Sequence, residues 1–343
     1  MPISNIFCRR GLLLLILCEL FSIMSAQEMQ VNPVRVLFYN VENLFDVYDD
    51  TVKDDNDFLP AGLMRWNSSR YDKKIASIYK TISAAGDWEP PAIAAFCEVE
   101  NRKILEDLIF GTYLSKYSWG IVHEESPDPR GIDVCLIFRT DIVQVVRYKY
   151  WIPAENKKGD FTSRSVLYVK LAISSDTLHL FVNHWPSRRG GVLAREDARL
   201  SIADMVRGKI DSLTKSGLIP EKILITGDFN STPDDIEIKR LVGKGKLNPL
   251  VNLSEGSSDG VLGTYRYQGT WEMIDQVIVS ESLVNSKCGL YTGPEMFRVF
   301  RPDFLMMKDP KYPGLVPYAT YRGYKYQGGF SDHLPVIIDL GTR

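Results

Sequence analysis

The stretch from Lys222 to Ser231 constrains the fold of this chain most, because an apolar, β-branched run, Lys222-Ile-Leu-Ile-Thr226, stops abruptly at Gly227-Asp-Phe-Asn230. A run of that length suits a buried strand entering a turn. Asp228 and Asn230 then stand just past its C-terminal end, two positions apart, and face the same way if the backbone stays extended. Taken alone, Gly-Asp-Phe-Asn is as good a turn as a site, since Asp and Asn hydrogen-bond their own backbone there. The pattern recurs, however. Residues 34–40 read as a strand ending on Asn40, and residues 92–97 deliver Glu98. Residues 177–182 run into Asn183-His184, residues 272–279 carry Asp275, and Asp332-His333 precede a strand at 334–340. Strand ends gathered on one rim are where ligands and chemistry collect in layered folds.

Between these strands the apolar spacing changes to that of helices. Ile75, Ile78, Tyr79 and Ile82 follow the i, i+3, i+4, i+7 rule and predict a helix over 70–84, with further helices over 101–109 and 192–213. Strand-like runs also occupy 132–138, 142–148 and 165–173. Strands outnumber helices, several are joined as hairpins, and the two kinds are interleaved. An α+β layered sandwich fits this better than a parallel doubly wound sheet.

No repeat, linker or low-complexity tract interrupts the chain after residue 34, so one domain over 27–343 is expected. The N-terminus reads differently. Arg9-Arg10, an apolar run from Gly11 to Cys18 and the small residues Ser25-Ala26 give the order of a secretory signal over 1–26. The expectation is an exported protein, periplasmic or secreted; Cys18 follows Leu17 where a lipoprotein signal would carry a small residue. Removing Arg9, Arg10 and Glu19 moves the formal net charge by one unit, from −2 to −3. Near-neutral charge argues against holding nucleic acid by bulk electrostatics, though a local basic groove is compatible with it. Cys97, Cys135 and Cys288 then remain, too sparse and odd a set for a disulfide framework. The acidic run from Asp49 to Asp57 lacks the Gly and closing Glu of an EF-hand loop and reads as a solvated loop. Nothing implies a stable protein partner, and a monomer is expected.

Taken in order, Tyr39-Asn40, Glu98, Asn183-His184, Gly227-Asp-Phe-Asn230, Ile274-Asp275 and Ser331-Asp-His333 resemble the motifs of the endonuclease/exonuclease/phosphatase superfamily. The likeness spans residues 34 to 340. It implies a four-layered α/β/β/α sandwich, deoxyribonuclease I-like, and divalent-metal-dependent hydrolysis of a phosphate ester. The superfamily holds DNA and RNA nucleases, inositol-polyphosphate phosphatases and sphingomyelinases. With its export signal this chain looks most like the bacterial secreted nucleases, with nucleic acid as substrate. The alternative is a phosphatase or phosphodiesterase acting on a small or lipid-linked phosphate.

The chemistry gives these residues roles. Phosphoester cleavage needs an activated water, positive charge on the phosphoryl oxygens and a proton for the leaving group. Mg2+, with Mn2+ or Ca2+ as alternatives, favours oxygen ligands and suits Glu98 with Asp332 and the Asn40 amide. Zinc is not expected, because His123, His179, His184 and His333 show no ligand spacing and no Cys pair joins them. His123 and His179 are read as structural. Asp228 would orient or deprotonate the water and Asn230 would donate to a phosphoryl oxygen. Asp275 would hold His333 as an imidazolium, and His184 would be a second imidazole at the scissile phosphate. By resemblance, Arg164 lies along the phosphate path, and Arg188 and Asn183 join it as substrate-binding candidates. The segment 301–330 mixes Tyr312, Tyr318, Tyr321, Tyr324 and Tyr326 with lysines and arginines, and is the expected specificity element.

Overall fold

The computed structural model describes residues 33–343 apart from 88, 154–163, 189–190, 192–194, 215–220, 244–247 and 256–262. The signal over 1–26 and the first residues of the helix expected from 192 fall outside that set. Residues Val34–Arg343 form one compact unit.

Strands are numbered along the chain. The first sheet contains β1 (Val34–Leu44), β2 (Ile93–Val99), β3 (Trp119–Val122), β4 (Asp133–Arg139), β13 (Leu290–Tyr291), β14 (Phe297–Val299) and β19 (Val336–Thr342). Its order is β13-β19-β1-β2-β4-β3, with β14 also on β19; only β1 and β2 run parallel. The second sheet contains β5 (Val143–Trp151), β6 (Val166–Ile173), β7 (Asp176–His184), β8 (Ile223–Asp228), β9 (Leu250–Asn252) and β12 (Asp275–Ser280). There the order is β5-β6-β7-β8-β12-β9, with β7 and β8 parallel. Among the described residues, three hairpins lie outside the sheets: β10–β11 (Tyr265–Tyr267, Thr270–Glu272), β15–β16 (Met306–Lys308, Leu315–Pro317) and β17–β18 (Tyr321–Arg322, Lys325–Tyr326).

The layers follow from which side of each strand is apolar. Val36, Phe38, Ile93, Ala95 and Leu136 of the first sheet meet Leu167, Val169, Leu180, Leu224 and Val277 of the second in a buried core. The alternate residues Leu37, Tyr39, Ala94 and Phe96 face the other way. They pack on helices α1 (Ser68–Ala85) and α2 (Arg102–Phe110). Phe181, Ile223 and Ile225 do the same for the second sheet, against α3 (Glu196–Thr214) and α4 (Ile236–Val242). Strands buried on both faces carry apolar runs with little polar alternation, as these do. The result is the expected α/β/β/α sandwich. Cys97 and Cys135 are free and lie inside it as small core residues. The acidic run folds on itself: Asp50 accepts from the Val52 N–H and Asp55 from that of Asp50.

Candidate active site

Three neighbouring strands of the second sheet place His184, Asp228 and Asp275 in one row, since His184 pairs with Asp228 across β7–β8 and Asp275 with Asp228 across β12–β8. Side chains at paired positions project to the same face. Gly227 is required here because a Cβ would stand 2.3 Å from the Asn183 carbonyl oxygen.

The first sheet supplies the facing groups, and it does so through a bulge. Cys97 and Val99 pair with Val134 and Asp133, leaving Glu98 outside the ladder, and Glu98 adopts φ +65°. Opposite it, β1 breaks register between Asn40 and Leu44, where Glu42 and Asn43 have φ +51° and +47°; Asn230 adds φ +48°. Four non-glycine residues held left-handed at one rim are strained, as bulges beside functional sites often are. The strain aims Glu98 into the gap, where its Oε2 accepts from the Asn43 N–H at 2.7 Å.

Asp228 is the hub. Its Oδ2 accepts from Asn40 Nδ2 at 3.0 Å and lies 3.7 Å from His184 Nε2 and 3.9 Å from His333 Nε2. His333 Nδ1 is 2.7 Å from Asp275 Oδ2. Burial would lower the His333 pKa, but Asp275 and Asp228 outweigh it and hold the ring well above the ordinary imidazole value. His184 goes the other way: burial, then Arg164 and Arg130, push it well below that value, so it is neutral. Burial and Asp275 raise Asp228 to about 7. Burial and Glu98 also raise Asp332.

These groups border a cleft of about 520 Å³ lined by Glu98, Arg164, His184, Asp228, Asn230, Asp332 and His333. Arg188 lines it too, anchored to the Asn230 carbonyl at 2.6 Å and to Asp235 and Glu272. Arg164 is buried, ion-paired with Asp128 at 3.1 Å, and donates to the Trp185 carbonyl. Asn40 and Asp275 stand behind the lining.

Three placements differ from the sequence expectation. Asn183 is fully buried, donating to the Thr226 carbonyl and accepting from the Trp185 indole, so it supports the β7 end and does not line the cleft. Asn40 presents its amide nitrogen to Asp228, because its oxygen is committed to the Glu42 N–H at 3.0 Å. A backbone N–H can only donate, which fixes the amide's orientation and leaves that oxygen a poor metal ligand. The segment 301–330 contributes no lining residue. Within it Tyr321 packs against Phe58 and Trp66, Arg70 lies 4.3 Å from the Tyr326 ring, and Tyr324 is exposed.

Sequence reasoning missed Arg130, Tyr265 and Tyr267 in the lining. Tyr265 and Tyr267 alternate along β10, and the Tyr265 ring centroid lies 4.9 Å from that of His333. The aromatic alternation Tyr-Arg-Tyr was the available signal; Arg130, in a Pro-Arg-Gly loop, offered none.

A divalent cation fits the donor set. Glu98 and Asp332 are oxygen donors in a cleft where burial, and then the Glu98 charge, raise the Asp332 pKa, a crowding that a cation would relieve.

A sequence profile of the Endonuclease/Exonuclease/phosphatase family matches residues 35–342, and the chain belongs to that family. It is an enzyme that hydrolyses phosphoesters. A sequence search among curated proteins returns no match. Among solved structures, it resembles the mannosyl-6-phosphatase of Bacteroides thetaiotaomicron at 18% identity and TM-score 0.57, over 90% of this chain and 99% of that one. A humanized TDP2 of D. rerio aligns at 14% identity and TM-score 0.56, over 90% and 99%. The human Nocturnin catalytic domain aligns at 16% and 0.54, over 91% and 95%. At such identities the likeness speaks to the fold alone.

Proposed function

We propose that the chain is an exported, monomeric, Mg2+-dependent endonuclease that cleaves nucleic-acid phosphodiesters by in-line attack of water. Residues 1–26 serve as its signal peptide and 27–343 as a single catalytic domain. Glu98 and Asp332 would hold the cation, which supplies positive charge to the phosphoryl oxygens and leaving oxygen when bound. Asp228, raised to about 7, orients the attacking water and takes its proton. Charge developing on the phosphoryl group meets the His333 imidazolium, the His184 N–H and Arg164. Asn230 has one of its two amide hydrogens on the Trp185 carbonyl at 3.0 Å and keeps the other for substrate. Arg188 steadies the turn that presents Asn230.

The observation carrying the choice of polynucleotide is the pair Tyr265 and Tyr267 in the cleft wall, beside Arg130 and Arg164. Aromatic faces next to phosphate-binding cations suit a base stacked beside its own phosphate. TDP2 of D. rerio has been solved with a single-stranded DNA product. A second reading, phosphatase action on a phosphorylated sugar, is favoured by the bounded cleft and the absence of net positive charge.

Plasmid DNA, RNA and small phosphomono- and diesters, each with Mg2+, Mn2+ or chelator, separate the two. For the nuclease, Tyr265→Ala with Tyr267→Ala should lose at least tenfold on polynucleotide, about one stacked base, and retain small-substrate turnover. Cleavage of small monoesters only, untouched by these changes, would move the enzyme to the phosphatase branch.

A further inference from the structure

His123 follows β3 directly, and Asp133 opens β4, so the strand pair brings them together at the root of the loop between. His123 Nε2 and Asp133 Oδ2 lie 3.3 Å apart, with the two side chains 4% and 0% exposed. Neither atom makes a hydrogen bond among the described residues. An ordinary N–H···O contact falls at about 2.7–3.2 Å with the hydrogen on the line between the atoms. This pair is longer and misdirected, and a buried carboxylate oxygen and ring nitrogen left so are costly. Two ligand atoms about 2.0–2.2 Å from a tetrahedral zinc stand about 3.3–3.6 Å from each other. The observed separation matches that geometry. Glu125, on the same loop and exposed, places a carboxylate oxygen within 4.8 Å of a ring nitrogen of His123 and a carboxylate oxygen of Asp133.

We propose that His123, Asp133 and Glu125 form a second metal site, separate from the catalytic cleft, that takes one zinc-like divalent transition metal. One imidazole and two carboxylates, completed by water, make a set of zinc ligands. The two buried ligands are fixed by β3 and β4, and Asp133 is further held because its Oδ1 accepts from the Ser126 N–H at 2.9 Å. Glu125 swings in to close the shell. The bound metal pegs the loop that carries Arg130 to the cleft and Asp128 to Arg164; Lys53 pins the same loop by donating to the Ser126 and Asp128 carbonyls. The histidine looked solitary in the sequence because its partners are carboxylates, one of them across a strand pair.

The test is zinc content and thermal stability of the purified protein, stripped with chelator and titrated with Zn2+. Wild type should retain one zinc equivalent more than Asp133→Asn and gain a zinc-dependent rise in melting temperature that the variant lacks. Glu125→Gln, a surface change that leaves the core intact, should weaken that extra equivalent by at least the roughly tenfold that removing even an outer partner of a metal ligand costs. Its Mg2+-supported hydrolysis should be unchanged. Equal zinc content and equal stabilisation in all three proteins would overturn the site, whatever substrate the enzyme takes.

Discussion

His333 and Asp275 are joined by a 2.7 Å contact between Nδ1 and Oδ2, and the opposite ring nitrogen looks toward Asp228 at 3.9 Å. The imidazole therefore stands between two buried carboxylates and keeps its proton when burial alone would expel it. Replacing Asp275 with Asn preserves shape and removes the charge. Turnover should fall by about a hundredfold or more, with KM changed little. The pH profile gives the sign. His333 in wild type stays cationic above the ordinary imidazole range, so the alkaline limb lies high; in Asp275→Asn it should move toward lower pH. An unmoved alkaline limb would mean that His333 is not the group being titrated.

Glu98 should affect activity and stability in opposite directions. Burial first, and the Glu98 charge after it, raise the pKa of Asp332 and to a smaller degree of Asp228, so without a cation the carboxylates oppose folding. Glu98→Gln should lose at least a hundredfold in Mg2+-supported turnover, a typical loss for a transition-state charge stabiliser. In chelator the same variant should melt higher than wild type, by on the order of 2 °C. Wild type should be inactive in chelator and recover with Mg2+. A variant that melts lower in chelator would contradict the crowding argument.

The strand-end residues were legible because each sits at or beside an apolar run, with Glu98, His184 and Asp228 at its end, a pattern that survives without any knowledge of pairing. That reading placed Asp228, His184, Asp275 and Glu98 on one rim, where the structure has them. What turns Glu98 into the gap is a bulge against β4, a relation between strands that one strand's sequence does not contain. Hairpin β10–β11 has strands of three residues, too short for alternation to stand out, so Tyr265 and Tyr267 went unnoticed. The segment 301–330 does not line the cleft, and composition cannot show where a side chain's partner lies. The groups that hold that segment, Glu42 and Lys74, are some 250 or more residues away in sequence. Lys74 itself sits beside Ile75 and Ile78 on the buried side of α1, where a solvated lysine and a clamped one look the same.

Those two clamps make the next prediction. Glu42 accepts from the Thr320 and Tyr321 N–H groups at 2.6 and 2.8 Å, and Lys74 donates to the Phe330 carbonyl at 2.5 Å and to the Thr320 hydroxyl. Both side chains are buried. Truncating Glu42 to Ala leaves the Thr320 and Tyr321 amides without their acceptor and the buried Lys74 ammonium without a nearby negative charge, a loss of about 3–5 kcal/mol. Adding Lys74→Met should restore part of it, because the uncompensated charge is gone. Urea unfolding of both single variants and the double variant measures the coupling, and simple additivity would show that the two residues act independently.

Asp339 lets the pH dependence of stability be worked through with no catalytic group involved. Its carboxylate binds Arg35 through two contacts of 2.7 and 3.0 Å and Arg298 at 2.9 Å. Burial would raise its pKa, but the two arginines outweigh burial and lower it below the ordinary Asp value. The folded state thus holds the proton less tightly than the unfolded state, and stability from this residue is complete above the unfolded pKa of about 4. As pH falls through the lower, folded value, the carboxylate protonates and that stability is lost. Asp339→Asn should cost about 1–3 kcal/mol at neutral pH. The gap between wild type and variant should narrow steadily between pH 5 and 2, roughly the window over which a salt-bridged Asp loses its contribution. Urea midpoints measured across that window check this directly, and a gap that persists undiminished at the acid end would show that shape, not charge, makes the residue stabilising.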